Sequence, residues 1–160
     1  MENNVNSIKG NNPIVVAMSG GVDSSVAAAL MNKDYEDVIG VTLRLYDEKK
    51  VANSKTCCSG ADIMDAKKIA NTITIPHYVF DYEEIFRKNV IEPFINEYKS
   101  GRTPIPCINC NEKVKFLDLL SFAKEINAKS LVTGHYIKKV NVDNEWRLSV
   151  SYTHLTLPTT

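Results

Sequence analysis

The chain has 160 residues, 44% hydrophobic and 24% charged, and its 19 Lys+Arg balance 19 Asp+Glu for a formal net charge of +0. That is the composition of one globular domain, too polar for a membrane-spanning protein and with no overall charge to draw it to nucleic acid. No apolar run reaches the ~18–20 residues of a membrane helix, and Met1–Asn12 lacks the apolar stretch of a secretion signal. Without that signal, Cys57, Cys58, Cys107 and Cys110 read as cytoplasmic thiols, open to thiol or metal chemistry rather than structural disulfides.

The Asn-rich arm Met1–Asn12 is expected to be flexible, and residues 13–150 to form one α/β domain. Pro13–Met18 is an apolar run that predicts a buried strand, followed by a glycine turn at Ser19–Asp23 and a helix over Ser24–Lys33. Val22, Val26, Leu30 and Met31 share one side of that helix. Val38–Leu45 is a β-branched second strand, and the lysine-rich stretch Tyr46–Thr56 a loop. From Ser59, the spacing of Ile63, Ala66 and Ala70 predicts a helix, with acids early and lysines later as the helix dipole prefers.

Pro76–Phe80 predicts a third strand and Glu83–Tyr98 a helix, with a bend expected at Pro93. Gly101–Pro106 reads as a stiff loop. Glu112–Ile126 is a helix whose expected inner face is Phe116, Leu119, Leu120, Ala123 and Ile126. Ser130–Thr133 is a fourth strand, and Ile137–Val150 a hairpin around Asp143-Asn144. Strands alternating with helices predict right-handed crossovers and a parallel twisted sheet with helices on both faces, with ligands outside the carboxyl ends of its strands. His77 and the set Tyr78, Phe80, Tyr82 and Phe86 read as structural. Ser151–Thr160 closes no element and is expected to be foreign to the fold.

Ser19-Gly20-Gly21-Val22-Asp23-Ser24-Ser25 falls between a strand and a helix. The glycines let backbone amides approach a ligand, and the helix start favours an anion. Asp23 can cap the helix or help hold a divalent cation. The lysine of the Walker pattern GxxxxGKS/T is missing, and GxGxxG is absent too, which disfavours γ-phosphate transfer and dinucleotide binding.

Cys110 falls at the predicted start of a helix, where the dipole and the nearby Lys113, Lys115 and Arg102 favour a thiolate and hence a nucleophile or sulfur carrier. From Lys99 to Lys115 four basic residues face one acidic residue, Glu112, a local net of +3 suited to a nucleic-acid backbone. The four cysteines also admit a zinc or iron–sulfur reading, although adjacent Cys57-Cys58 ligate one metal less readily than a spaced pair.

Ser19–Ser25 resembles the SGGxDSS loop of the ATP pyrophosphatase (PP-loop) superfamily. With Gly101–Phe116 and Thr133-Gly134-His135-Tyr136, the chain is similar to the tRNA-specific 2-thiouridylase family over about Ile14–Trp146. The resemblance implies a Rossmann-like, adenine nucleotide alpha hydrolase-like fold and an activity that adenylates the 2-oxygen of a wobble uridine and replaces it with sulfur. It implies ATP and Mg²⁺ as cofactors, and tRNA and a persulfide-bearing sulfur-relay protein as partners, with neither DNA nor a membrane. ATP would contact Ala17, Met18, Ser19, Gly20, Gly21, Val22, Asp23, Ser24, Leu43 and Gly134. Cys110 would be the nucleophile, Ile105, Pro106 and Cys107 would meet the target base, and His135 would contact tRNA, with Lys113 and Lys115 in the basic patch.

Many members carry Asp where this chain has Cys107. The family's second reactive cysteine, its central domain and its β-barrel lie downstream, so the chain is expected to be the front portion of a longer enzyme and inactive in thiolation alone. An ATP-dependent ligase or amidotransferase of the same superfamily, which needs no Cys110, and a non-catalytic nucleotide-binding module are the competing classes.

Overall fold

The computed structural model describes residues 12–46 and 60–150. Residues 1–11, residues 47–59 with Cys57, Cys58 and most of the expected loop Tyr46–Thr56, and residues 151–160 lie outside the described residues. Four short strands, β1 (Ile14–Ala17), β2 (Val38–Arg44), β3 (His77–Asp81) and β4 (Ser130–Val132), form a parallel sheet in the order β3-β2-β1-β4. β1 pairs with β2 from Ile14↔Val38 to Ala17↔Val41 and with β4 from Ile14↔Ser130 to Val16↔Val132. The chain thus builds outward to β3, then returns to add β4 on the other side of β1. That reversal opens a crevice at the carboxyl ends of β1 and β4.

The near-continuous apolar runs of β1 and β2 follow from burial on both faces. Val15, Val41 and Leu43 pack with Phe86, Val90, Val114, Leu119 and Phe122. Val16, Met18 and Val38 pack on the other face with Ala28, Ala66 and Ala70. Helices α1 (Val22–Asp34) and α2 (Gly60–Thr72) therefore cover one face. The other face is covered by two longer helical segments, 83–99 and 106–125. Tyr78, Phe80 and Tyr82 pack against the Val15, Val41 and Phe86 cluster on that face, as their structural reading expects.

Both longer helices contain a wide-turned π segment. Helix 83–99 runs as α3 (Glu83–Phe86), a π segment at Arg87–Ile91 and α4 (Glu92–Lys99). Pro93 has no N–H to give the Asn89 carbonyl, and the ladder widens just ahead of it, so that the Glu92 N–H bonds to Arg87 O. Helix 106–125 runs as α5 (Pro106–Asn109), a π segment at Cys110–Phe116 and α6 (Leu117–Glu125).

Three expectations change. Helix 106–125 starts six residues before the predicted Glu112, because Pro106 has the fixed φ that suits a first helical position. Of the expected inner face, Leu119, Ala123 and Ile126 are buried, joined by Phe122, whereas Phe116 and Leu120 are exposed. On α1, Val22, Val26 and Leu30 of the expected apolar side face solvent and only Met31 packs partly against the core; the small residues Ser24 and Ala28 are the ones buried, letting the helix lie close to the sheet. Beyond β4, β5 (Ile137–Val142) and β6 (Glu145–Val150) form the expected antiparallel hairpin. Asp143 and Asn144, at φ 53° and 62°, supply its two left-handed turn residues.

A buried polar relay braces the strand that feeds the glycine loop. The Thr42 hydroxyl donates to Met18 O at 2.7 Å, and His77 Nε2 lies 2.8 Å from Thr42 Oγ1. Since the hydroxyl proton is spent on Met18, His77 must donate through Nε2–H. Replacing Thr42 with Val should cost about 1–3 kcal/mol in urea unfolding, because a backbone acceptor and a histidine donor both lose a buried partner; an unchanged midpoint would count against the relay. Burial, and then nearby Lys67, lower the His77 pKa below its ordinary 6.5. The neutral ring is thus favoured in the folded state, and its stability contribution is whole above pH 6.5 and lost as pH falls below it. In His77→Gln this part of the acid destabilisation should vanish, as measured by unfolding midpoints across that range.

Candidate active site

At the crevice between β1 and β4 lies a cavity of about 260 Å³. The end of β1, the glycine loop and the start of α1 supply Ala17, Met18, Ser19, Gly21, Asp23 and Ser24; β2 adds Val41 and Leu43. Helix 106–125 adds Lys115, Phe116 and Leu119, and the turn after β4 adds Thr133, Gly134 and His135. Segments more than a hundred residues apart thus share one wall.

The loop is held by its own hydroxyls. Ser24 Oγ accepts from Ser19 N–H at 3.1 Å and donates to Gly21 O at 3.1 Å, while Ser25 Oγ donates to Gly21 O at 2.7 Å. Gly21 occupies the helix N-cap and no side chain caps it, so no side chain competes for the first-turn amide donors, which are suited to an anion. Asp23, expected either to cap α1 or to help hold a cation, does not cap: its Oδ1 accepts the Tyr136 hydroxyl at 2.6 Å. That bond, reinforced by the carboxylate charge, raises the Tyr136 pKa above its ordinary 10.0.

The two glycines of the loop serve different ends. Gly21 lines the cavity, with space for a ligand beside it. Gly20 does not; at φ +81°, a side chain there would strike the Asp62 carbonyl oxygen at 2.3 Å, so its backbone is pressed against α2. Val22 also points away, 78% exposed. Among the expected nucleotide contacts, Ala17, Met18, Ser19, Gly21, Asp23, Ser24, Leu43 and Gly134 therefore meet at one cavity, and Gly20 and Val22 flank it.

Residues expected to face RNA divide. His135 lines the cavity, bonded to Thr133 Oγ1 at 2.9 Å and tilted against Phe116 at 5.2 Å between ring centroids. Lys115 lines it too, whereas Lys113, Ile105 and Cys107 are exposed outside it, with Pro106 opening the helix between them. Cys110 is only 9% exposed and belongs to the core cluster, in the second turn of its helix rather than at the start. The local charge is also smaller than a count from Lys99 suggests. Arg102 forms a two-pronged pair with Glu97, at 2.5 and 2.9 Å, so from Glu97 to Lys115 four cations face two carboxylates, a net of +2.

Val41 and Leu119 line the cavity although no motif points to them, whereas Thr133, Tyr136 and Phe116 belong to the Thr133–Tyr136 and Gly101–Phe116 segments that carry the resemblance, without a role of their own there. Val41 was legible as the same-face neighbour of Leu43, two residues away on a strand. Tyr136 is legible as part of the Thr133–Tyr136 segment, but its bond to Asp23, 113 residues distant, is not.

A parallel sheet whose first strand opens into a Ser-Gly-Gly loop, with an apolar-walled cavity at the switch point, defines an α/β Rossmann-like domain of the PP-loop type. Loop hydroxyls and amides suit phosphate, and the Val41, Leu43 and Leu119 wall suits an adenine ring, so the residues present fit an adenine nucleotide. The family model described as the tRNA methyl transferase HUP domain matches residues 12–154, and the chain belongs to that family.

The chain is 54% identical over 132 residues to the tRNA-specific 2-thiouridylase MnmA of Rickettsia rickettsii (strain Sheila Smith), covering 82% of this chain and 36% of that protein. It is 52% identical over 138 residues to the protein of the same name from Rickettsia canadensis (strain McKiel), covering 86% of this chain and 38% of that one. It thus spans a little over a third of the length of these relatives. The NH3-dependent NAD synthetase of Campylobacter jejuni in complex with nitrate ion is similar in fold alone, with 17% identity and a TM-score of 0.51 over 77% of this chain and 47% of that one. No helix among the described residues is long and apolar enough to cross a membrane.

Asp23→Asn should bring the Tyr136 ionisation down toward 10.0, because the neutral amide no longer favours the protonated phenol. Alkaline difference titration of tyrosinate absorbance, assigned with Tyr136→Phe, reads this directly; an unmoved titration would argue that the two groups do not meet.

Proposed function

We propose that this chain is the nucleotide-binding, adenylating portion of a tRNA-specific 2-thiouridylase acting in the cytoplasm on tRNA, with sulfur delivered by a persulfide-bearing relay protein. The observation that carries the reading is the cavity itself. It joins the SGGVDSS loop to the Gly134-His135 turn and to the helix that bears both cysteines. The names of the relatives support the substrate.

In this reading the α1 N-terminus and the loop hydroxyls hold the phosphates of ATP, and Gly21 leaves room for them. Val41, Leu43 and Leu119 keep water from the base. Asp23, its Oδ1 fixed by Tyr136, offers its second oxygen to Mg²⁺, which would neutralise charge on the leaving pyrophosphate. The uracil 2-oxygen attacks the α-phosphorus and pyrophosphate leaves; the outer sulfur of a persulfide then attacks C2, AMP departs with the oxygen, and the S–S bond breaks as a second thiol takes the inner sulfur into a disulfide. Cys110 is assigned that sulfur step and Cys107 the target base. Ile105, Pro106, His135 and Lys113 are assigned to the RNA.

Because adenylation precedes sulfur attack, the two halves separate experimentally. With a wobble-uridine tRNA, ATP–pyrophosphate exchange should require the RNA, fall about 100-fold in Asp23→Ala, and stay within about twofold in Cys110→Ser. Exchange without RNA dependence would point instead to a ligase or amidotransferase. Its loss in Cys110→Ser would make that buried thiol a structural residue.

A further inference from the structure

We infer that Lys115 is a nucleotide ligand whose ammonium neutralises the phosphate chain of ATP, replacing the lysine that the Ser19–Ser25 loop lacks. The inference rests on the nucleotide-binding reading above and adds to it a residue that the basic-patch argument assigned to RNA. Lys113 and Lys115 are two positions apart on one helix, yet they face different surroundings. Lys113 is exposed outside the cavity, whereas Lys115 is half-buried and lines it together with Ser19, Asp23 and Ser24.

Charge accounting favours an anion there. ATP brings three to four negative charges, and the loop itself supplies only amides and hydroxyls, with Asp23 adding a further negative charge. Among the described residues Lys115 has neither an ion-pair nor a hydrogen-bond partner, whereas Arg102 is committed to Glu97. Beside a wall partly made of apolar side chains, the attraction between an ammonium and phosphate is stronger than in open water. Lys115 joins the cavity lining from helix 106–125, with Phe116 and Leu119, so a cation is supplied by a different element from the loop.

The test is equilibrium binding of adenosine, AMP and MgATP to the whole chain, comparing wild type with Lys115→Met, Lys115→Arg and, as an exposed control on the same helix, Lys124→Met. Lys115→Met keeps the aliphatic stem and removes the charge. It should weaken MgATP about tenfold or more, weaken AMP less, and leave adenosine unchanged, with Lys115→Arg restoring most of the loss and Lys124→Met altering nothing. An unchanged MgATP affinity, an equal loss for adenosine, or a loss confined to tRNA binding would overturn the assignment. If wild-type protein binds none of the three nucleotides, the nucleotide reading itself falls and this inference with it.

Discussion

One close approach shapes the centre of this molecule. Gly134 lies so near the first turn of α1 that a methyl group on it would sit 2.7 Å from the Ser24 amide nitrogen and 3.1 Å from Asp23 Cβ. Only a residue without a side chain lets the turn after β4 meet the loop after β1. That contact brings Tyr136 within bonding distance of Asp23 and sets His135 against Phe116. The same short turn therefore touches the phosphate loop on one side and the cysteine-bearing helix on the other.

The rest of the fold supports that meeting. β1 is sandwiched between β2 and β4, and the buried Thr42–Met18 bond fixes the backbone immediately before the loop turns away from the sheet. Gly20, pressed on the Asp62 carbonyl, pins the loop to α2. Rigid elements on three sides leave the loop's amides and hydroxyls little freedom, the preorganisation that anion binding and charge stabilisation depend on.

The helix from Pro106 to Glu125 divides its labour by face. Val114, Leu119, Phe122 and Ala123 bury its inner side, Cys107 stays exposed, and Lys115 and Phe116 turn toward the cavity. Its wide-turned stretch begins at Cys110, and such turns break the regular i→i+4 ladder, often at working sites. A sulfur role for Cys110 thus requires a thiol that starts in the core to become reachable, whereas Cys107 is reachable already.

Much of this was legible locally. The four strands, the order of the helices, the Asp143-Asn144 turn and the loop Ser19–Ser25 follow from apolar periodicity, β-branching and glycine placement, all of which act over a few residues. What sequence could not settle were choices made between distant segments. Val22, Val26 and Leu30 have helical spacing, yet the sheet accepts the smaller Ser24 and Ala28, because α1 must lie close enough to deliver its amino end to the crevice. The basic count around Cys110 missed Glu97, which lies outside the counted window but is folded onto Arg102. Local chemistry determined which elements form and that an anion-binding loop exists. Tertiary structure decided which further side chains share its cavity, because Val41, Lys115 and His135 reach it only when strands and helices far apart in sequence pack onto one sheet.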